Sequence, residues 1–67
     1  QVYPNPVKDI ITIYLAESQQ IRLVNMAGAT VWQGSMAAGR NQLLISHLPK
    51  GVYTLITLKG PQQILIQ

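Results

Sequence analysis

The chain has 67 residues, of which 48% are hydrophobic and only 10% charged, with a formal net charge of +3 and no cysteine. That length suits one domain, residues 1–67, with a thin core, since so short a chain buries only about 60% of its unfolded surface. Lack of thiols excludes disulfides, thiolate nucleophiles and cysteine-bound metals, while five scattered cations (Lys8, Arg22, Arg40, Lys50, Lys59) do not make a nucleic-acid surface.

Val2-Tyr3-Pro4-Asn5-Pro6 opens the chain. Two prolines around an asparagine oppose helix and favour an extended start followed by a turn. From Asp9 to Leu15 the side chains alternate, Ile11, Ile13 and Leu15 on one face and Ile10, Thr12 and Tyr14 on the other, which is the pattern of a strand. Glu17 to Gln20 is polar enough to turn. Ile21 to Met26 reads as a second strand. Asn25-Met26-Ala27-Gly28 then predicts a short hairpin loop, with Gly28 at positive φ. Ala29 to Gly34 returns, carrying Val31 and Trp32 on opposite faces. Ser35 to Arg40 is a loop of small residues, and Asn41 to Ser46 a further strand.

Leu48-Pro49-Lys50-Gly51-Val52-Tyr53 leads into the most strand-like stretch, Val52 to Leu58, whose two faces are both largely apolar. Such a strand belongs in the interior of a sheet. The spacing Leu48-x-x-Gly51-x-Tyr53 suits a tyrosine corner, in which the hydroxyl reaches back to backbone just upstream. The alternative is an ordinary loop with a tyrosine in it. Lys59-Gly60-Pro61 reads as a tight turn, and Gln63 to Gln67 as a last strand through Ile64, Leu65 and Ile66.

Six strands, or seven with Val2-Tyr3, recur about every ten residues without helical periodicity. That spacing predicts an all-β antiparallel sandwich or small barrel. The expected core is Ile11, Ile13, Ile21, Leu23, Val31, Leu43, Ile45, Leu48, Tyr53 and Leu55. No apolar run approaches the roughly twenty residues of a spanning helix, so no transmembrane segment is expected. There is no signal-peptide pattern either. A chain beginning at Gln1 rather than Met reads as a piece of a longer protein.

The residues offer little chemistry. Asp9 and Glu17 are the only acids and His47 the only imidazole. Ser46, His47 and Asp9 supply the residue types of a triad, but neighbours in a strand point to opposite faces and no oxyanion motif accompanies them. A metal site needs three or four ligands, and glycine-rich phosphate loops are missing. The expectation is no enzyme, no cofactor and no metal. Tyr14 and Trp32 fall opposite the core set, together with Ile10, Val24 and Leu44. Two readings are open: a strand buried on both sides or isolated exposed residues, and a contiguous apolar patch for a partner. Low charge, that second face and an open edge at Gln63–Gln67 make the domain prone to pair with its own copy.

Three segments together resemble a known family. They are Val2-Tyr-Pro4-Asn5-Pro6-Val-Lys-Asp9 with Ile11-x-Ile13; Ile21-x-Leu23-Val-Asn25-x-x-Gly28 with Val31; and Asn41, Leu43-x-Ile45-Ser-His-Leu48-Pro49-Lys50-Gly51-Val-Tyr53. In this order and spacing the chain resembles, from end to end, the C-terminal sorting domain of the type IX (Por) secretion system of certain Gram-negative bacteria. The resemblance implies an immunoglobulin-like β-sandwich that follows a passenger in the same chain. It implies export from the periplasm through an outer-membrane translocon to the cell surface or medium, followed by removal by a sortase-like peptidase at a site upstream of Gln1. Its motif residues here are Pro4, Asn5, Pro6, Gly28, Leu48, Pro49, Lys50, Gly51 and Tyr53; separately, Ile64, Leu65, Ile66 and Gln67 read as a terminal recognition strand, because an open edge offers backbone groups that a receptor can pair with. The family's last strand often ends near a Lys or Arg, whereas this chain has none after Lys59. The competing function is a structural or adhesive module that spaces or stabilises a neighbouring domain.

Overall fold

Side chains alternate across a strand, so each strand can offer one apolar face to a common interior. The computed structural model, which describes residues 2–3 and 8–67, has seven strands: β1 (Val2–Tyr3), β2 (Ile10–Leu15), β3 (Gln19–Val24), β4 (Thr30–Met36), β5 (Gly39–Leu44), β6 (Gly51–Thr57) and β7 (Gly60–Ile66), and β2 to β7 each bury side chains in this way. All pairings are antiparallel. One sheet has the order β1-β2-β5 and the other β4-β3-β6-β7. Among the described residues there is no helix. This is a small immunoglobulin-like sandwich, with the fourth strand joined to the sheet of the third, sixth and seventh.

The core is a single cluster drawn from both sheets. Ile11, Ile13, Leu43 and Ile45 come from the first sheet and its exit; Ile21, Leu23, Met36, Tyr53, Leu55, Ile64 and Ile66 come from the second. Eight of the ten expected core residues are buried, while Val31 and Leu48 are half-buried against the cluster. Met36, Ile64 and Ile66 join it beyond expectation. Strand β6 lies inside its sheet, between β3 and β7, as its two apolar faces require.

The boundaries differ from the sequence reading in instructive ways. Gln19 and Gln20 belong to β3, which ends at Val24, two residues short of Met26. The loop expected over Ser35–Arg40 shrinks to Ala37-Ala38, because β4 runs on to Met36 and β5 starts at Gly39. Asn41 makes so short a link feasible: its Nδ2 donates to the Ala37 carbonyl at 2.8 Å and to that of Gly39 at 3.3 Å. The last hairpin turns at Leu58-Lys59, not Lys59-Gly60-Pro61, with Thr57 paired to Gly60. Gly60 takes φ +111°, open to glycine at little cost. Pro61 then stands near the start of an edge strand, where sheets tolerate proline.

Trp32 is the clearest correction. Its Cα partner is Leu23, which is fully buried, and directly opposed residues share a face. Trp32 therefore points inward with Met36, not away from the core. Register slips between Leu23 and Val24, leaving Val31 as the extra residue of a β-bulge. Such a bulge re-aims side chains, so Val31 and Trp32 both pack against the core although they are neighbours. The expected second apolar face is reduced to three of its five residues. Ile10, Tyr14 and Leu44 are exposed on the β2–β5 sheet, whereas Val24 lies on the other sheet.

The indole lies over Gly34. A Cβ added there would stand 3.1 Å from both Cη2 and Cζ2 of Trp32. Gly34→Ala should force the ring outward: overpacking costs roughly 1–3 kcal/mol, and the lost glycine entropy of the unfolded chain returns about 0.4–1 kcal/mol. We expect a net loss of about 1 kcal/mol with a red shift of the Trp32 emission. An unchanged spectrum would show that the ring does not rest on this glycine.

Candidate functional site

Three segments far apart in sequence meet at one end of the sandwich. The first is the β3–β4 turn. Asn25 accepts the Gly28 N–H on its carbonyl at 3.0 Å and donates its own N–H to the Ala29 carbonyl at 2.9 Å. Its side-chain Oδ1 accepts from the Ala27 and Ala29 N–H groups, both at 3.0 Å. Four bonds thus close on one residue. Gly28 supplies the left-handed step with φ +86°, as its position in the loop predicts.

The second segment is the approach to β6. Ile45 donates its N–H to the Asp9 carbonyl at 2.8 Å, and Leu48 donates to the Ile45 carbonyl at 3.0 Å. The chain then climbs over exposed Pro49 and Lys50 to Gly51. Tyr53 is buried, and its hydroxyl donates to the Pro49 carbonyl at 2.7 Å. This is a tyrosine corner: the ring fills the core while the phenol tethers the loop four residues back. An ordinary untethered loop is excluded.

The third segment is the end of β7. Gly51 pairs with Ile66 and Tyr53 with Ile64, so the last strand finishes beside the corner. Ile64 and Ile66 face the core and are nearly inaccessible, whereas Leu65 is 40% exposed. Gln67 is exposed.

Between the first two segments runs an open groove, lined by Met26, Ala27, Pro49, Lys50 and Val52 among others. Met26 is 82% exposed at its rim. Of the motif residues, Gly28, Leu48, Pro49, Lys50, Gly51, Tyr53 and the Ile64–Gln67 strand are thus gathered at one end. Pro4, Asn5 and Pro6 lie outside the described residues.

The groove holds one cation and no acid. Among the described residues every buried side chain is hydrophobic, and Asp9, Glu17, Ser46 and His47 are all exposed. Asn25 opens the hairpin loop that the sequence predicts, whereas the side-chain bonds by which it and Asn41 close their turns go beyond that reading. The available signal was an Asn set two or three residues from a glycine, where the side-chain amide stands in for missing backbone partners.

The family model of the secretion system C-terminal sorting domain matches residues 1–66. The chain belongs to that family. Among curated proteins and among solved structures, nothing matches it. The type IX sorting domain is a secretion signal and not an enzyme family, and it implies a passenger in the same chain and an exported product. The sorting domain's elements therefore need reading as surfaces for recognition. The corner, the Asn25 turn and the end of β7 fix the shape of one end of the sandwich.

Proposed function

We propose that this sorting domain carries its passenger from the periplasm through the outer-membrane type IX translocon to the cell surface or medium, and that a sortase-like peptidase then removes it. The observation that carries the reading is the family match over residues 1–66. Geometry supports it. The Asn25 turn and the Pro49–Lys50 loop border one groove, the end of β7 pairs with Gly51–Tyr53 beside it, and the Asn25 and Tyr53 hydrogen bonds hold both loops. A face so braced pays little ordering entropy when a receptor binds it. We assign this end of the sandwich as the surface that the export machinery reads.

The test is a fusion of residues 1–67, with the native segment that precedes them, to an inert periplasmic reporter in a host that has the secretion system. The reporter should reach the cell surface or medium, shortened by a cut ahead of the sandwich. A reporter that stays in the periplasm would favour the spacer module instead. One that is exported but never cut would leave the route standing and remove the peptidase.

A further inference from the structure

The opposite end of the sandwich carries a cleft of about 160 Å³ between the β2–β3 turn and the β6–β7 hairpin. Its inner wall is apolar, with Ile13 and Leu15, and Leu58 stands at one lip. Glu17 and Lys59 flank the mouth with opposite charges. Leu58 is 70% exposed, an unusual state for a leucine built into a cleft wall, because its apolar area gains nothing until something covers it.

This cleft is braced from within. Gln19 Oε1 accepts the Leu58 N–H at 2.8 Å, and Gln19 Nε2 donates to the Glu17 carbonyl at 3.3 Å. One side-chain amide thereby ties the turn on one wall to the hairpin on the other, across 39 residues of sequence. The Lys59 N–H donates to Thr57 Oγ1 at 3.1 Å and fixes the hairpin tip. Walls held in this way keep the opening formed before an occupant arrives.

Direction of the chain identifies the occupant. Strand β1 is antiparallel to β2, with Val2 opposite Ile13 and Tyr3 opposite Thr12. Polypeptide arriving at Val2 therefore comes from the side of Leu15 and Ala16, both of which line the cleft. Each residue of an extended chain advances about 3.3 Å, so a chain that keeps the direction of β1 ahead of Val2 reaches the mouth within a few residues. An apolar cavity near 150 Å³ accommodates a molecule the size of benzene, which is the size of one large side chain.

We propose that the cleft seats an apolar side chain of the segment immediately upstream of Gln1, docking the connection to the passenger against the end of the sandwich remote from the corner. The existence of that segment rests on the sorting-domain reading; its docking does not depend on which receptor reads the other end. Its effect is to fix the angle at which the passenger leaves the domain, and to hold the connecting backbone in a defined conformation where a peptidase meets it.

Hydrogen exchange on the full passenger-bearing chain tests this separately from export. Peptides just upstream of Gln1 should exchange at least about tenfold more slowly than an unstructured segment. Leu58→Asp places a charge on the lip without touching the core, and should return those peptides to the unstructured rate while β3 and β6 keep their protection. Leu44→Asp, on the exposed face of β5, should leave them protected. The idea fails if the upstream peptides exchange freely in the parent chain, or if Leu58→Asp leaves them slow. It fails equally if protection of the cleft lips grows with protein concentration, which would make a second copy the occupant. Loss of export with linker protection intact would count against the secretion route alone.

Discussion

Tyr53→Phe should lower the unfolding free energy by only about 1 kcal/mol, the net worth of one hydrogen bond, while Tyr53→Ala should cost roughly 3–5 kcal/mol. The small figure follows from the partner. Pro49 is an exposed loop residue and its bond with the phenol is only part-buried, so water has access to the carbonyl when the phenol is lost. The large one follows from burial, since Tyr53 is 5% exposed and stands among Leu55, Ile64 and their neighbours. Domains hold roughly 0.05–0.15 kcal/mol per residue, so truncation removes about a third or more of what so short a chain has. Denaturant titration of the three proteins decides the matter. Equal losses for Phe and Ala would mean that the ring contributes nothing beyond its hydroxyl. Export offers a second readout: Tyr53→Phe keeps the core but frees the Pro49–Lys50 loop, so a fall in export larger than the fall in stability would point to the loop's shape as the thing recognised.

What alternation predicts, it predicts well here, because burial and strand period are the same physical fact seen twice. Ile11/Ile13, Ile21/Leu23, Leu43/Ile45 and Tyr53/Leu55 each sit two apart and each pair is buried. Gly28 and the Leu48–Tyr53 corner were legible because positive φ and the reach of a phenol leave a spacing in the sequence. Trp32 was misread where the period itself breaks: a bulge inserts one residue, and every face assigned beyond it flips. Strand β7 was cut short because Gly60-Pro61 carries turn chemistry, although an edge strand admits both residues. Ile64 and Ile66 therefore fell outside the expected core, although both are buried in it. The apolar patch of Ile10, Tyr14 and Leu44 loses Val24 for another reason, as alternation tells which face a residue occupies but never which sheet. Gln19 was invisible altogether. Nothing in a local window says that a glutamine amide will bridge two turns 39 positions apart.

The burial of Ile64 and Ile66 changes what removal of the terminal strand can mean. Deleting residues 64–67 takes two nearly inaccessible side chains out of the core and strips β6 of its neighbour along the Gly51–Tyr53 register. Such a protein should fail to fold, and any loss of export would follow from that alone. Single substitutions separate the two causes, because the strand alternates. Ile64→Ala should cost about 2–5 kcal/mol by opening a cavity, and its export should recover as far as the fold does, for instance at lower growth temperature. Leu65 points to the other face, opposite Val52, and is 40% exposed. Leu65→Ser should therefore leave stability within about 1 kcal/mol. If the end of β7 belongs to the surface that the translocon reads, Leu65→Ser should reduce export several-fold at unchanged melting temperature. Full export from Leu65→Ser, alongside a deficit in Ile64→Ala that tracks its stability, would show that the last strand serves the sorting signal only by completing the sandwich. Recognition would then fall to the Asn25 turn and the Pro49–Lys50 loop beside it.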